Sequence, residues 1–173
     1  MSDLRALIRS TDRRWRIGMV SGPNMPNLEH RERARFGDVG TLADLESRVR
    51  LLAEALGVEL AGTVASNHEG VILDWLHQQT ADLDGLLINP AGLTWTGEAT
   101  RMAVYETGLP AIEVHFAKPG GSGRPSIFGD VVVGTCLGLR KHSYTAALVA
   151  LVAMLDDGDF ARPGMYAERG RGY

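Results

Sequence analysis

Hydrophobic and polar positions alternate along this chain in two rhythms. Short apolar runs rich in β-branched residues fall at 17–20, 58–64, 85–88, 111–114 and 131–133, and each has the length of a buried strand. Between them apolar residues recur every three or four positions, the spacing of a helix face. The clearest face is Leu42, Leu45, Val49, Leu52 and Leu56, with Thr41 as its cap and Gly57 as its stop. A second helix is expected from Glu69 to about Gln79, capped by Asn67, with Ile72, Leu73, Leu76 and Trp75 turned inwards. Two more are expected from about Gly97 to Thr107 and from about His142 to Leu155. Strands this short, separated by longer helices, predict a parallel sheet covered on both faces, an α/β three-layer sandwich. Residues 1–15 read as a polar extension with a short helix, expected to pack on a neighbouring subunit. Residues 16–156 form the domain, and the Gly- and Arg-rich 157–173 is a frayed tail.

The polar residues collect where the strands end. Asn24 follows the first strand, Ser66-Asn67-His68-Glu69 the second and Asn89 the third, while Glu113 and His115 finish the fourth. In an open α/β sheet all of these gather at one edge, where ligands bind. Each alone has an ordinary explanation: a helix cap for His68, a paired structural carboxylate for Glu113, a turn for Asn89. Their common location favours a site. The loop after the first strand adds Arg31, Arg33 and Arg35, suited to an anionic ligand, and is expected to close over it.

Composition narrows the field. A chain of 173 residues builds one well-buried domain, and a net charge of −3 without a basic run excludes a general nucleic-acid binder or a membrane-surface protein. No apolar stretch reaches membrane-spanning length, and the N-terminus lacks a signal core. Cys136 is the single cysteine, so no intrachain disulfide forms, and a reducing cytoplasm is the expected location. No His/Asp/Glu spacing suggests a metal and no Gly-rich phosphate loop appears, so neither metal nor cofactor is expected.

The segments GPNMPNLEHRERARFG, SNHEG, INPAGLTWT, EVH and GTCLGLRKHSY, in this order, resemble the type II 3-dehydroquinate dehydratases over roughly residues 16–155. The resemblance implies a flavodoxin-like fold with a five-stranded parallel sheet of order 2-1-3-4-5, and a trimer-based dodecamer. It also implies a reaction. A lid tyrosine activated by an arginine removes a proton next to a ketone, an enolate forms, and a histidine after the third strand protonates the departing hydroxyl. An asparagine after the first strand holds a water that stabilises the enolate, and the histidine ending the fourth strand holds a substrate hydroxyl. On this chain Asn24, Arg31, Asn89, Glu113 and His115 match the family pattern.

Other positions depart from it. Phe36 stands at the lid tyrosine and cannot accept a proton, and Trp95 stands at the leaving-group histidine and cannot transfer one. Ala117-Lys118 replaces a Ser-Asn pair, the second lid is shortened so that Arg124 is the nearest match to its arginines, and Met102 replaces an aspartate of the third helix. Losing base and acid together while keeping the oxygen-binding residues points to a changed substrate or reaction. The expected activity is that of a divergent lyase, hydrolase or isomerase acting on a small carbonyl or carboxylate ring compound through an enolate or oxyanion. Alternatives are a true dehydroquinate dehydratase with substituted catalytic groups, or a non-catalytic oligomeric binding protein. Candidate catalytic residues are Asn24, Arg31, Glu98 and His115, with Asn89, Trp95, Phe36, Glu113, Phe116, Lys118 and Arg124 as candidate substrate contacts. His68 and Glu69 are further acid–base candidates.

Overall fold

The computed structural model describes residues 4–38, 40–118 and 124–158. In chain order these form α1 (Leu4–Ile8), β1 (Arg16–Ser21), a helical turn α2 (Arg33–Phe36), α3 (Leu42–Ala55), β2 (Glu59–Ala65) and α4 (Glu69–Gln79). There follow β3 (Gly85–Asn89), α5 (Glu98–Glu106), β4 (Ala111–His115), β5 (Gly134–Leu137) and α6 (His142–Asp157). The sheet order is β2-β1-β3-β4-β5 with every pairing parallel, which is the flavodoxin-like arrangement. The order reverses beside β1, so the crevice for a ligand lies beyond the carboxyl ends of β1, β3 and β4.

Alternation along the strands divides the core into two layers. Ile17, Met19, Leu87, Ile112 and Val114 face α3 and α6, while Val20, Leu86, Ile88 and Ala111 face α4 and α5. The stripe on α3 packs as its spacing requires, with Leu45, Val49 and Leu56 buried. Its capping box is complete: Thr41 accepts from the Asp44 N–H, and the Asp44 carboxylate accepts from Thr41. On α6, Ala147, Leu148, Leu151 and Val152 are fully buried, so Tyr144, one turn earlier on the same face, is carried beneath the strand ends.

Two expectations are corrected. The run Val131–Val133 is not the fifth strand. Val131 and Val132 turn into the core beside Phe128, and register with β4 begins only at Gly134, opposite Ile112. A run of three valines fits a buried plug as well as a ladder, so periodicity cannot separate them. Asn67 does not cap α4. His68 occupies the cap position, and the Asn67 amide instead reaches the neighbouring β1 end.

The N-terminal segment is tied to its own chain. The Arg9 guanidinium donates to both carboxylate oxygens of Asp156 on α6, at 2.6 and 3.1 Å, and both side chains are almost fully buried. The Trp15 indole and the Thr11 hydroxyl donate to the same carboxylate. Burial would raise the Asp156 pKa, but hydrogen bonds from Arg9, Trp15 and Thr11 outweigh it and hold the group well below the usual carboxylate range. No helix among the described residues is long and apolar enough to cross a membrane.

Candidate active site

The floor of the crevice is built from the ends of β1 and β3. Gly22 donates to the Asn89 carbonyl at 2.8 Å. A Cβ on Gly22 would stand 2.1 Å from the Pro90 carbonyl oxygen, so only glycine lets the two strand ends meet this closely. Asn24 follows with φ of 77°, a left-handed conformation that asparagine tolerates better than most residues. The Asn67 side chain accepts from the Asn24 backbone N–H at 2.8 Å, fixing this turn from β2. Periodicity gave no sign of this link, because it joins two loops distant in sequence.

Asn89 is buried and fully engaged. Its amide nitrogen donates to the Tyr144 hydroxyl at 3.0 Å and lies 3.3 Å from the Met25 sulfur, and its oxygen accepts from the Ala91 N–H at 3.0 Å. It therefore shapes the turn after β3, where Ala91 has φ of 50°, more than it offers free donors to a ligand. Burial pushes the Tyr144 hydroxyl well above its ordinary pKa, so it stays protonated and does not serve as a base.

His115 and Glu113 lie two residues apart on one face of β4. The His115 Nε2 is 2.6 Å from Glu113 Oε1, with both residues buried. A carboxylate oxygen accepts, so in this pairing the His115 Nε2 donates to Glu113. His115 lines the cavity; Glu113 supports it from within the layer facing α4 and α5. The second Glu113 oxygen is buried and has no hydrogen-bond partner among the described residues.

The cavity holds about 250 Å³ and is bounded by Asn24, Met25, Leu28, Arg31, Phe36, Asn89, Trp95, His115, Phe116 and Lys118, with Ala91, Gly92, Thr94 and Ala117 between them. The Arg31 guanidinium stacks on the Phe36 ring, 4.4 Å from its centroid. The Trp95 indole N–H points to the Arg124 carbonyl at 3.3 Å, leaving the ring as a wall of the cavity. Phe116 packs against Tyr144 with ring centroids 5.3 Å apart.

Several candidates stand outside this group. Glu98 is exposed on α5, and hydrogen bonds from Arg101 hold its carboxyl below the ordinary range. That carboxylate serves the surface of α5, paired with Arg101 one turn along the same helix. Arg124 meets the cavity wall only through its carbonyl, and its side chain does not line the cavity. Arg33 pairs with Asp38, and Glu69 accepts from the Thr100 N–H and hydroxyl at the start of α5. The side chain of Arg35 lies outside the described residues. Met25 and Leu28 also line the cavity and Tyr144 holds the Asn89 amide; none of the three stands out individually in the sequence.

The chain can be set beside known proteins. Residues 15–152 match the family model described as dehydroquinase class II. A 3-dehydroquinate dehydratase of Gloeobacter violaceus is 40% identical over 143 residues, covering 81% of this chain and 88% of that protein. A catabolic 3-dehydroquinase 1 of Aspergillus fumigatus is 37% identical over 135 residues, covering 76% and 89%. The crystal structure of a type II dehydroquinase from Butyrivibrio crossotus superposes with a TM-score of 0.73 at 26% identity, over 80% of this chain and 97% of that one. A 3-dehydroquinate dehydratase-like protein from Bifidobacterium longum gives 0.59 at 25% identity, over 82% and 97%.

Proposed function

The chain belongs to the class II dehydroquinase family, and from that premise we propose that it is an enzyme whose proton transfer has moved to His115. Its substrate is a small carbonyl or carboxylate ring compound, and its reaction is a lyase, isomerase or hydrolase step through an enolate or oxyanion. The observation that carries this reading is the buried Glu113–His115 pair, 2.6 Å apart, of which His115 lines the cavity, in a site where positions 36 and 95 hold no group able to move a proton.

In this mechanism the His115 Nδ1 lone pair takes a proton from the carbon beside the carbonyl, and the electron pair passes to the carbonyl oxygen. Glu113 is a positioning residue: it fixes the ring and balances the imidazolium that forms. Asn24 and Arg31 line the cavity and stabilise the developing oxyanion. The proton then returns from His115 to another carbon or to a leaving group. The expected assembly is a homo-oligomer built on trimers; exposed Val71 on α4 and Met102 on α5 are apolar positions that a second copy would cover.

A second reading, true dehydration of 3-dehydroquinate with substituted catalytic groups, is supported by the names of relatives up to 40% identical. The test that separates them follows exchange of carbon-bound hydrogen for deuterium by NMR, across a panel of cyclic ketones and keto acids that includes 3-dehydroquinate. Wild type should catalyse exchange, and His115→Asn should lower it by roughly 10²–10⁴. Glu113→Gln should shift the pH profile while leaving ligand affinity nearly intact. Exchange that survives His115→Asn would refute the assignment.

A further inference from the structure

Two cations, Arg31 and Lys118, line the cavity, and a third, Arg140, packs beside it against Gly37. Arg31 lies over Phe36 on one side. Lys118 lines the opposite segment, and its stem lies over Gly138, where an added Cβ would be 3.3 Å from its Cγ. Arg140 bridges the two: its backbone N–H donates to the Phe116 carbonyl at 2.8 Å, and its stem packs so closely on Gly37 that a Cβ there would lie 2.6 Å from Arg140 Cδ. No carboxylate among the described residues pairs with Arg31, Lys118 or Arg140, whereas Arg9, Arg13, Arg33 and Arg101 all have acidic partners. Glu113, the acid adjoining the cavity, is committed to His115.

Arg140 is also held at a conformational cost. Its φ is 56°, in the left-handed region where glycine would be unstrained, and the side chain is present there nonetheless. Cations with no carboxylate partner beside a cavity favour an anion that enters it. One carboxylate brings a single negative charge to three positive groups. The cavity, at about 250 Å³, is smaller than the roughly 300–1,000 Å³ of drug-sized sites and takes one ring, which the Phe36 and Trp95 faces would flank.

We infer that the ligand of this cavity is a single-ring compound carrying two negative charges, with its second anionic group held at the rim by Lys118 and Arg140. The inference uses the same cavity as the proposed function but does not depend on its chemistry, because it is read by binding alone. The rim residues select the substrate; they take no part in the proton transfer.

The test titrates the full chain calorimetrically with benzoate, the three benzene dicarboxylates and phenyl phosphate, with inorganic phosphate as a control. At least one dianionic ring should bind wild type about tenfold or more tighter than benzoate, the size of effect that one partly exposed charge-assisted contact supplies. The dicarboxylate and phosphate arms distinguish the two sources of a second charge. Lys118→Met and Arg140→Gly should each reduce that preference to about threefold or less while leaving benzoate binding within about twofold. Arg140→Gly relieves the strained backbone, so it should melt no lower than wild type, and its loss of preference cannot be assigned to misfolding. Equal binding of mono- and dianionic rings, a preference unchanged in both variants, or no binding of any ring acid at millimolar concentration would each overturn the inference. Dianion preference without deuterium exchange would leave it standing and remove the proposed chemistry instead.

Discussion

Placing at positions 36 and 95 the two groups that the family resemblance implies tests what those positions contribute. In the Phe36→Tyr/Trp95→His double variant, the new phenol sits on a ring whose centroid is 4.4 Å from the Arg31 guanidinium. A phenol titrates near pH 10, and a cation this close lowers it by about one to three units, into the range of a working base. The imidazole at position 95 supplies an acid near neutral pH and opens the space filled by the indole. The structural cost is small, because the Trp95–Arg124 contact is long at 3.3 Å and contributes at most about 1 kcal/mol. A correctly placed base or acid is worth roughly 10²–10⁴ in rate. The two act as a unit, so each single variant should gain less than about tenfold and the pair about 10³-fold or more. The assay follows the conjugated enone formed from 3-dehydroquinate by absorbance, with wild type, both singles and the double side by side. Wild-type turnover within about tenfold of the ordinary ~10 s⁻¹ would refute the reasoning outright, since neither phenylalanine nor tryptophan can move the protons. A double variant no faster than wild type would show that the pocket's shape, and not its missing groups, excludes this substrate.

Two further predictions concern the frame of the site. Asp156→Asn should destabilise the fold by about 3–5 kcal/mol in denaturant titrations, because it leaves the nearly buried Arg9 without its charge partner. The folded pKa of Asp156 is depressed, so its contribution is complete above the unfolded value near 4 and is lost as pH falls towards the folded one; below about pH 4 wild type should lose stability faster than the variant. Gly22→Ala should cost at least about 1–3 kcal/mol and lower ligand affinity, since the new methyl would meet the Pro90 carbonyl carbon and oxygen at 2.8 and 2.1 Å; an unchanged denaturation midpoint would remove the close approach as a constraint.

How far the sequence reveals this site depends on whether the relevant contact is local. The strand ends at Asn24, Asn89 and His115 are legible because a parallel sheet sends every carboxyl terminus to the same edge, and burial patterns locate the strands. The partner of a polar side chain is another matter. Asn67 precedes a helix and reads as its cap, yet its amide serves the turn at Asn24, 43 residues away in sequence. Glu98 reads as a candidate acid near Trp95, yet Arg101 and Asp130 form a surface network with it. Tyr144 falls at the start of the helix expected from His142, with no role of its own in the sequence, and proves to anchor the Asn89 amide. For Asn67 and Tyr144 spacing places the residue on an element while packing between elements settles the direction of its side chain; for Glu98 the partner Arg101 lies one turn along the same helix.

The same distinction bears on what changed in this chain. Phe36, where the family resemblance implies a tyrosine, ends α2 and packs on the core, and Trp95, where it implies a histidine, lies in the turn after β3. The Glu113–His115 pair is on β4 itself, with both residues buried. Replacing either residue alone would strand the other's polar atoms in the core, at a cost of about 1–3 kcal/mol or more. Retention of the pair therefore has a structural cause as well as a chemical one, and survival alone does not establish function. What distinguishes a catalytic pair is a measurable asymmetry between its members. If His115 moves the proton, His115→Asn should abolish exchange while preserving binding, and Glu113→Gln should displace the pH profile without abolishing exchange. If the pair only supports the fold, the two substitutions should lower stability alike and affect exchange only in proportion to the folded fraction. Measuring the folded fraction and the exchange rate on the same samples separates the two causes.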